Sequence, residues 1–243
     1  MARNGPLFIV PWRCTFACNY NCAHCISSCK PAAPDELSAK DAKKLVDRIR
    51  DFGATFFGIT GGEPFLREDL FEIVQYARQV GLNVSIITDG RLADDNVAAN
   101  LIKNEVRVSI SIDGAESIND RVRGEGAYRS AVDLAEKLSA TGLLDCFVYT
   151  FANVDAKVTN VTEADFRHVN DLAAYYGARW VVYHGLVPYT SDKNCLRADP
   201  SPAQYEWALN KLYDLSVQYK GEPEINVYVP FYARVAKQRG LLD

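Results

Sequence analysis

Apolar, strand-like runs alternate with amphipathic helical patterns along most of the chain, and this alternation limits the possible folds more than any other feature. Such alternation predicts parallel βα units. We expect six strands, at Leu7–Pro11, Thr55–Thr60, Asn83–Thr88, Val106–Ile112, Cys146–Phe151 and Arg179–Gly185. We expect helices near residues 38–52, 67–80, 92–103, 127–141, 162–176 and 202–219. The first is expected to begin at Ser38, in a capping-box-like Ser38-Ala-Lys-Asp41, and to place Leu45, Val46, Ile49 and Phe52 on one apolar face. Six units favour an open, partial (β/α)6 barrel of the TIM type over a closed eight-stranded one.

The composition fits one globular unit without a strong electrostatic preference. A chain of 243 residues can bury a substantial core, and 48% apolar with 24% charged residues is ordinary for such a protein. A net charge of −4 and an isoelectric point near 5.5 give no general attraction to nucleic acid or to anionic membranes. No apolar run reaches the roughly 18 residues of a membrane-spanning helix. We therefore expect neither nucleic acid nor membrane as a partner.

Five of the seven cysteines lie between residues 14 and 29. Cys18, Cys22 and Cys25 are separated by three and then two residues, so they supply three thiolates on one short loop. Cys14 repeats the three-residue gap before Cys18, but the next ligand position in that frame is Asn21, and Cys29 has no partner downstream. Since the N-terminus lacks the apolar segment of a signal peptide, we expect metal ligands in the reducing cytoplasm, not disulfides.

Three closely spaced thiolates are compatible with two kinds of metal site. A cubane [4Fe-4S] cluster is normally held by four thiolates, so three would leave one iron open to a small molecule. Structural zinc is the alternative, with Cys14, Cys29 or His24 completing four ligands. The chain offers no second short-spaced pair for zinc, which favours the cluster. If Cys14 or Cys29 bound the fourth iron, a non-catalytic electron-transfer or sensor protein would be indicated.

The cysteine motif and a glycine motif together resemble those of the radical S-adenosylmethionine (SAM) enzymes. The first reads Cys18-Asn-Tyr-Asn-Cys22-Ala-His-Cys25, and the second, Gly61-Gly62-Glu63-Pro64, ends the second predicted strand. The similarity runs from Leu7 to about Pro188. It implies a [4Fe-4S] cluster on the three cysteines, whose open iron binds SAM. It also implies cleavage of SAM to a 5'-deoxyadenosyl radical that abstracts hydrogen from a substrate, with flavodoxin or ferredoxin as the low-potential electron donor.

The same resemblance implies further residues that bind SAM. Gly61, Gly62 and Glu63 would contact its amino group, although a tight turn after the strand would also explain them. Ser111 and Asp113 resemble a fourth-strand motif that contacts the ribose or carboxylate. Strand alternation places Ser109 on the same face, and mutual bonding of these side chains inside the barrel is the alternative.

Arg123 is the candidate partner of the SAM carboxylate, with Arg121 or a plain surface salt bridge as alternatives. Thr88-Asp89-Gly90 departs from the Thr-Asn-Gly that is usual in the family, so we assign no specific contact with SAM to these residues. We expect His24 to pack without an acid–base role. Three further side chains could face a substrate but are expected to pack: Tyr149, Tyr183 and His184.

The resemblance implies a core domain over residues 1–219. Residues 220–243 would form a C-terminal extension that could be the start of a truncated auxiliary domain, with a strand at Ile225–Val229 and a helix at Pro230–Arg239. The motifs look most like those of peptide maturases and haem-pathway enzymes. We therefore expect a peptide or a tetrapyrrole-like cofactor precursor as substrate, and a glycyl-radical activating enzyme is a further alternative.

Overall fold

The computed structural model describes residues 8–25, 31–155, 158–186 and 198–240. Within them, strands and helices alternate as predicted, and seven parallel strands pair in chain order into one sheet. The strands are β1 (Ile9–Arg13), β2 (Phe56–Thr60), β3 (Asn83–Thr88), β4 (Arg107–Ser111), β5 (Leu144–Thr150), β6 (Trp180–His184) and β7 (Glu224–Tyr228). The sheet curls into a half-barrel, which confirms the predicted partial TIM-type fold.

Helices fill the connections between the strands. They are α1 (Ala39–Asp51), α2 (Leu70–Gln79), α3 (Asp95–Lys103), α4 (Glu116–Arg123), α5 (Ala127–Ser139), α6 (Glu163–Tyr176), α7 (Pro202–Tyr219) and α8 (Tyr232–Gln238). A short 3-10 helix, Pro64–Leu66, follows β2. None of the helices in the described ranges is long and apolar enough to cross a membrane.

Helix α1 shows how local sequence sets the boundaries of an element. The Ser38 side chain accepts a hydrogen bond from the Asp41 backbone N–H at its start, and Gly53, with φ +93°, follows its end. Val46 and Ile49 are buried on the predicted apolar face. Phe52 was expected on that face and is 73% exposed, because the helix ends there and its ring turns outward beside Phe8.

Helix α4 occupies a segment in which no helix was expected, and Gly124, with φ +119°, ends it. Strand β7 and helix α8 agree with the strand and helix expected at Ile225–Val229 and Pro230–Arg239. Strand β7 pairs with β6 in parallel, so the sheet has one strand more than the six of the predicted barrel. The segment from residue 220 thus continues the same sheet, and its division from the core as a separate unit stays a prediction. Leu7, Cys29, Val187 and Pro188 lie outside the described residues.

The core lies between the sheet and its helices, and it fixes where the strands end. Four strands, β2, β3, β5 and β6, contribute the fully buried side chains of Phe57, Ile86, Phe147 and Val181. Parallel strands bring their carboxyl ends to one rim, where barrel enzymes carry their chemistry. The cysteine loop after β1, the glycine motif after β2 and Asp113 after β4 therefore meet at one rim.

Candidate functional site

A cavity of about 350 Å³ opens at this rim. It brings together seven of the nine predicted site residues: Cys18, Cys22, Cys25, Gly61, Gly62, Ser111 and Arg123. Glu63 and Asp113 do not line the cavity and are buried behind its wall. The residues chosen from separate motifs thus share one site.

The three motif cysteines differ from Cys14 in their surroundings. Cys18, Cys22 and Cys25 are half-buried cysteines on the cavity wall, and none of them forms a disulfide. Burial raises the pKa of Cys22 to about 12, and the nearby Arg123 guanidinium opposes that rise. Cys14 is 1% exposed and does not line the cavity, and burial raises its pKa to about 12 as well. Its backbone N–H donates to Thr60 O at 2.8 Å, so Cys14 is a packing residue at the end of β1.

Three thiols line the cavity, and cysteine thiolates are the ligands that hold iron–sulfur clusters. Next to Cys18, the Asn19 amide nitrogen and oxygen are both buried without a hydrogen-bond partner. Buried polar atoms of this kind usually have a partner, but Asn19 is not among the residues that line the cavity.

Gly61 and Gly62 let the glycine motif pack directly on the cysteine loop. A Cβ on Gly62 would lie 2.1 Å from Ala17 O, and one on Gly61 would lie 2.8 Å from Thr15 O. Gly62 N–H donates to Thr15 O, and Glu63 N–H donates to Ala17 O, both at 2.7 Å. The sequence predicted close approach to a ligand. The close approach found here is to the backbone that precedes Cys18.

Glu63 points away from the cavity toward the end of β3. Its carboxylate accepts hydrogen bonds from Thr88 Oγ1 at 2.9 and 3.0 Å and from the N–H groups of Asp89 and Phe65, each at 3.1 Å. Burial, and then the neighbouring Asp89, raise the pKa of Glu63 well above its usual range. Asp89, 8% exposed, does line the cavity, and burial raises its pKa too.

Asp113 is the centre of a buried polar cluster that joins four parts of the chain. Its Oδ2 lies 2.7 Å from His24 Nε2 and 2.5 Å from Arg123 Nε, the latter an ion pair without an aligned hydrogen bond. Its Oδ1 accepts from Thr150 N–H at 2.7 Å, and its own N–H donates to Asn119 Oδ1 at 2.8 Å. Although burial opposes ionisation, Arg123 and His24 lower the pKa of Asp113 to about 2.

The structure separates the two candidate arginines. Arg123 is buried in the last turn of α4 and lines the cavity, whereas Arg121 is exposed and does not. The Arg123 backbone carbonyl also lies 3.8 Å from Cys22 Sγ. Arg123 therefore contacts both the Asp113 cluster and the cysteine loop.

Two serines on one face of β4 have different surroundings. Ser109 Oγ accepts from Cys146 Sγ of β5 at 3.2 Å, so Ser109 bonds to the neighbouring strand and does not line the cavity. Ser111 lies two residues further along the strand, on the same face, and lines the cavity.

Sequence reasoning missed the polar partner of His24, for which the only signal was a histidine inside the cysteine motif. It also missed Arg13 and Thr150 as cavity residues. Tyr149 and Tyr183 are fully buried, as expected. His184 lines the cavity instead and stacks on Tyr228 with ring centroids 5.3 Å apart.

Comparison with known proteins assigns this arrangement to a family. Residues 12–169 match the model of the Radical SAM superfamily. The mycofactocin maturase MftC of Mycolicibacterium smegmatis is 37% identical over 169 residues, which are 69% of this chain and 42% of the maturase. The AdoMet-dependent heme synthase of Methanosarcina barkeri is 30% identical over 240 residues, which are 97% of this chain and 66% of the synthase.

Solved structures show the same fold at low sequence identity. SuiB of Streptococcus suis bound to S-adenosylmethionine superposes with a TM-score of 0.77 at 15% identity, covering 93% of this chain and 51% of that one. This chain therefore spans less than half of the maturase and about half of SuiB. The family model covers well over half of its length, and the chain belongs to the radical SAM superfamily of enzymes.

Proposed function

We propose that this enzyme holds a [4Fe-4S] cluster on Cys18, Cys22 and Cys25 and cleaves SAM reductively at that cluster. The observation that carries the proposal is the set of three thiols on one cavity wall, with the thiol of Cys14 packed elsewhere. When bound, the cluster and SAM supply an electron and a 5'-deoxyadenosyl radical that abstracts hydrogen from the substrate. The chain is accordingly an enzyme and not a non-catalytic electron carrier.

The residues around the thiols have separate tasks in this proposal. Gly61 and Gly62 hold the cysteine loop against the end of β2 through the short backbone contacts described above. Arg123 places a cation on the cavity wall beside Cys22, where it can attract the SAM carboxylate. Ser111 offers a hydroxyl to the ribose or carboxylate from the end of β4. Glu63 supports the wall from behind and does not itself face the cavity.

A peptide is the proposed substrate. The maturase relative supports this assignment, as does the similarity in fold to SuiB bound to its precursor peptide SuiA, which has a TM-score of 0.77. A tetrapyrrole-like precursor is the second candidate, because the heme synthase relative matches 97% of this chain. We further propose a flavodoxin or ferredoxin as electron donor and the reducing cytoplasm as the site of action.

The test begins with anaerobic reconstitution with iron and sulfide. The protein is then reduced with dithionite in the presence of SAM, and 5'-deoxyadenosine is measured. Wild type should form 5'-deoxyadenosine, Cys22→Ala should form none, and Cys14→Ala should retain both cluster and product. A reducible cluster that never cleaves SAM would contradict the proposal. Adding precursor peptides or iron porphyrins in parallel then separates the two substrate classes by which one increases 5'-deoxyadenosine formation and gains a new mass.

A further inference from the structure

Several side chains on the cavity wall have no part in the proposed binding of the cluster and of SAM. Four of them are polar and lie at the ends of strands: Arg13 of β1, Thr60 of β2, Thr150 of β5 and His184 of β6. They form two pairs, because Arg13 is the register partner of Thr60, and Thr150 is that of His184. The sheet thus brings two polar pairs to the cavity from opposite sides of β4, which carries Ser111.

The two arginines that line the cavity differ in their partners. Arg123 is buried and pairs with the carboxylate of Asp113. Arg13 is exposed, and its guanidinium lies 5.1 Å from the centre of the Phe16 ring. The ion pairs found among the described residues leave Arg13 without a carboxylate. Arg13 is therefore a cation of the cavity wall whose charge is available to a ligand.

SAM does not account for both arginines. It carries a sulfonium and an ammonium group but only one carboxylate, for which Arg123 beside Cys22 is the proposed partner. A second guanidinium facing the same ligand would add positive charge close to the sulfonium and oppose binding. Arg13 instead suits an anionic group of the other ligand that the enzyme must bind, its substrate. A guanidinium binds a carboxylate through two parallel hydrogen bonds, which gives geometric specificity as well as affinity.

The pair across β4 offers neutral hydrogen-bonding groups. Within the described ranges, the backbone N–H of Thr150 donates to Asp113 and the His184 carbonyl accepts from Phe151 N–H, while neither side chain has a hydrogen-bond partner. The His184 ring stacks on Tyr228, with centroids 5.3 Å apart and 14° between the planes. Burial lowers the pKa of His184, so its imidazole is neutral at pH 7. Arg13 therefore supplies the charge, and His184 supplies a ring held in a fixed plane.

We infer that the substrate lies between these two pairs, that Arg13 binds a carboxylate of the substrate, and that His184 hydrogen-bonds to it from the other side. Arg13 is then a specificity residue that selects substrates bearing a carboxylate. A peptide supplies that group from its C terminus or an acidic side chain, and a tetrapyrrole supplies it from its carboxyalkyl side chains. The inference rests on the proposed function and adds one chemical requirement that both candidate substrate classes can meet.

Probes that differ only in their carboxylates test the inference on the reconstituted, oxidised enzyme saturated with SAM. The porphyrin pair is iron coproporphyrin III and its amide, in which every carboxylate is blocked. The peptide pair is a mixture of random peptides of about ten residues and the same mixture with amidated C termini and with Asn and Gln in place of Asp and Glu. Equilibrium filtration measures binding, read by absorbance for the porphyrins and by mass spectrometry for the peptides.

We expect the free form of one pair to bind at least about tenfold more tightly than its blocked form, as for loss of a charge-assisted contact. The pair that shows this preference identifies the source of the carboxylate. In Arg13→Gln the preference should disappear, while the Kd for SAM should not rise. Arg121→Gln is the matched control, because Arg121 is exposed on α4 and does not line the cavity, and it should keep the wild-type preference.

A variant of His184 tests the other side of the substrate position. His184→Phe keeps a ring that can stack on Tyr228 but removes both ring nitrogens. It should weaken binding of the free and the blocked probe alike, by several-fold, as for loss of one hydrogen bond. The ratio between the two probes should stay that of wild type. Unchanged affinity in His184→Phe would show that His184 does not contact the substrate.

The measurements on wild type decide the inference even if a variant fails to fold. If neither pair prefers the free carboxylate, the inference is wrong, and the proposed function stands as long as SAM is cleaved. An equal preference in Arg13→Gln and wild type would also overturn it. A higher Kd for SAM in Arg13→Gln, with the preference unchanged, would assign Arg13 to the SAM carboxylate instead. If SAM does not bind wild type at all, the proposed function fails and the inference fails with it.

Discussion

The imidazole Nε2 of His24 lies 2.7 Å from the carboxylate Oδ2 of Asp113, although the two residues are 89 positions apart in the chain. Both side chains are buried, and His24 directly precedes Cys25. The contact therefore ties the end of the cysteine loop to the rim of β4. Since Asp113 also contacts Arg123 and accepts from the Thr150 N–H, one carboxylate aligns the loop with α4 and β5.

We expect His24→Ala to weaken the cluster without removing a ligand. Loss of the imidazole leaves part of the Asp113 carboxylate unpaired in the interior and frees the loop beside Cys25. Iron should then pass to a chelator several-fold faster than from wild type. His24→Gln can still donate to Asp113 and should restore slow release. If His24→Ala releases iron at the wild-type rate, the loop does not depend on this contact.

Asp113 should make the free energy of unfolding depend on pH in the acid range. Its pKa of about 2 in the folded protein lies below the roughly 3.9 of an unfolded chain. The group therefore contributes stability above about pH 4, and this contribution is lost as the pH falls through about 2. It amounts to roughly 2–3 kcal/mol.

Asp113→Asn tests this assignment by urea unfolding of the metal-free protein. At pH 7 the variant should be destabilised by about 3–5 kcal/mol, because Arg123 is left buried without its counter-charge. The difference from wild type should shrink as the pH approaches 2. A constant difference across that range would show that another group carries the acid dependence.

Much of the fold could be predicted because the relevant signals are local. Alternating apolar runs and a capping serine located the strands and α1, since those patterns bury one face whatever else the chain does. Helix α4 was not predicted because its eight residues are polar on average and bury few apolar side chains. Phe52 was placed on the wrong side because the periodic pattern does not show where the helix ends in space.

The candidate site also has features that local sequence predicts and features that it does not. The spacing of Cys18, Cys22 and Cys25 is a local property, and all three thiols line the cavity. The pairings of His24 with Asp113 and of Glu63 with Thr88 span 89 and 25 positions, and no local pattern encodes them. The atoms next to Gly62 could not be predicted from the sequence either. The motif indicated a close approach, and only the fold shows that the approaching group is Ala17 O.

Gly62→Ala should prevent assembly of the cluster. The added methyl would stand 2.1 Å from Ala17 O and 2.6 Å from Ala17 C, so the glycine motif and the cysteine loop must move apart. Iron and sulfide per chain after anaerobic reconstitution should fall several-fold. Gly58→Ala, within β2, is the control, because its methyl meets the flexible Ile9 side chain at 3.2 Å and comes no closer to backbone than 3.4 Å, at Pro11 Cα. Equal iron content in the two variants would contradict this role of Gly62.

The two serines of β4 should differ in their effect on SAM binding, even though they share one face of the strand. Ser109 bonds to Cys146 below the cavity, and Ser111 lines the cavity. Ser111→Ala should therefore raise the Kd for SAM several-fold, as expected for loss of one hydrogen bond worth about 1 kcal/mol. Ser109→Ala should leave that Kd unchanged and act only on stability, since it deprives the buried Cys146 thiol of its acceptor. Calorimetric titration of both reconstituted variants measures this, and an equal loss of affinity in both would place the ligand deeper in the barrel than the cavity at its rim.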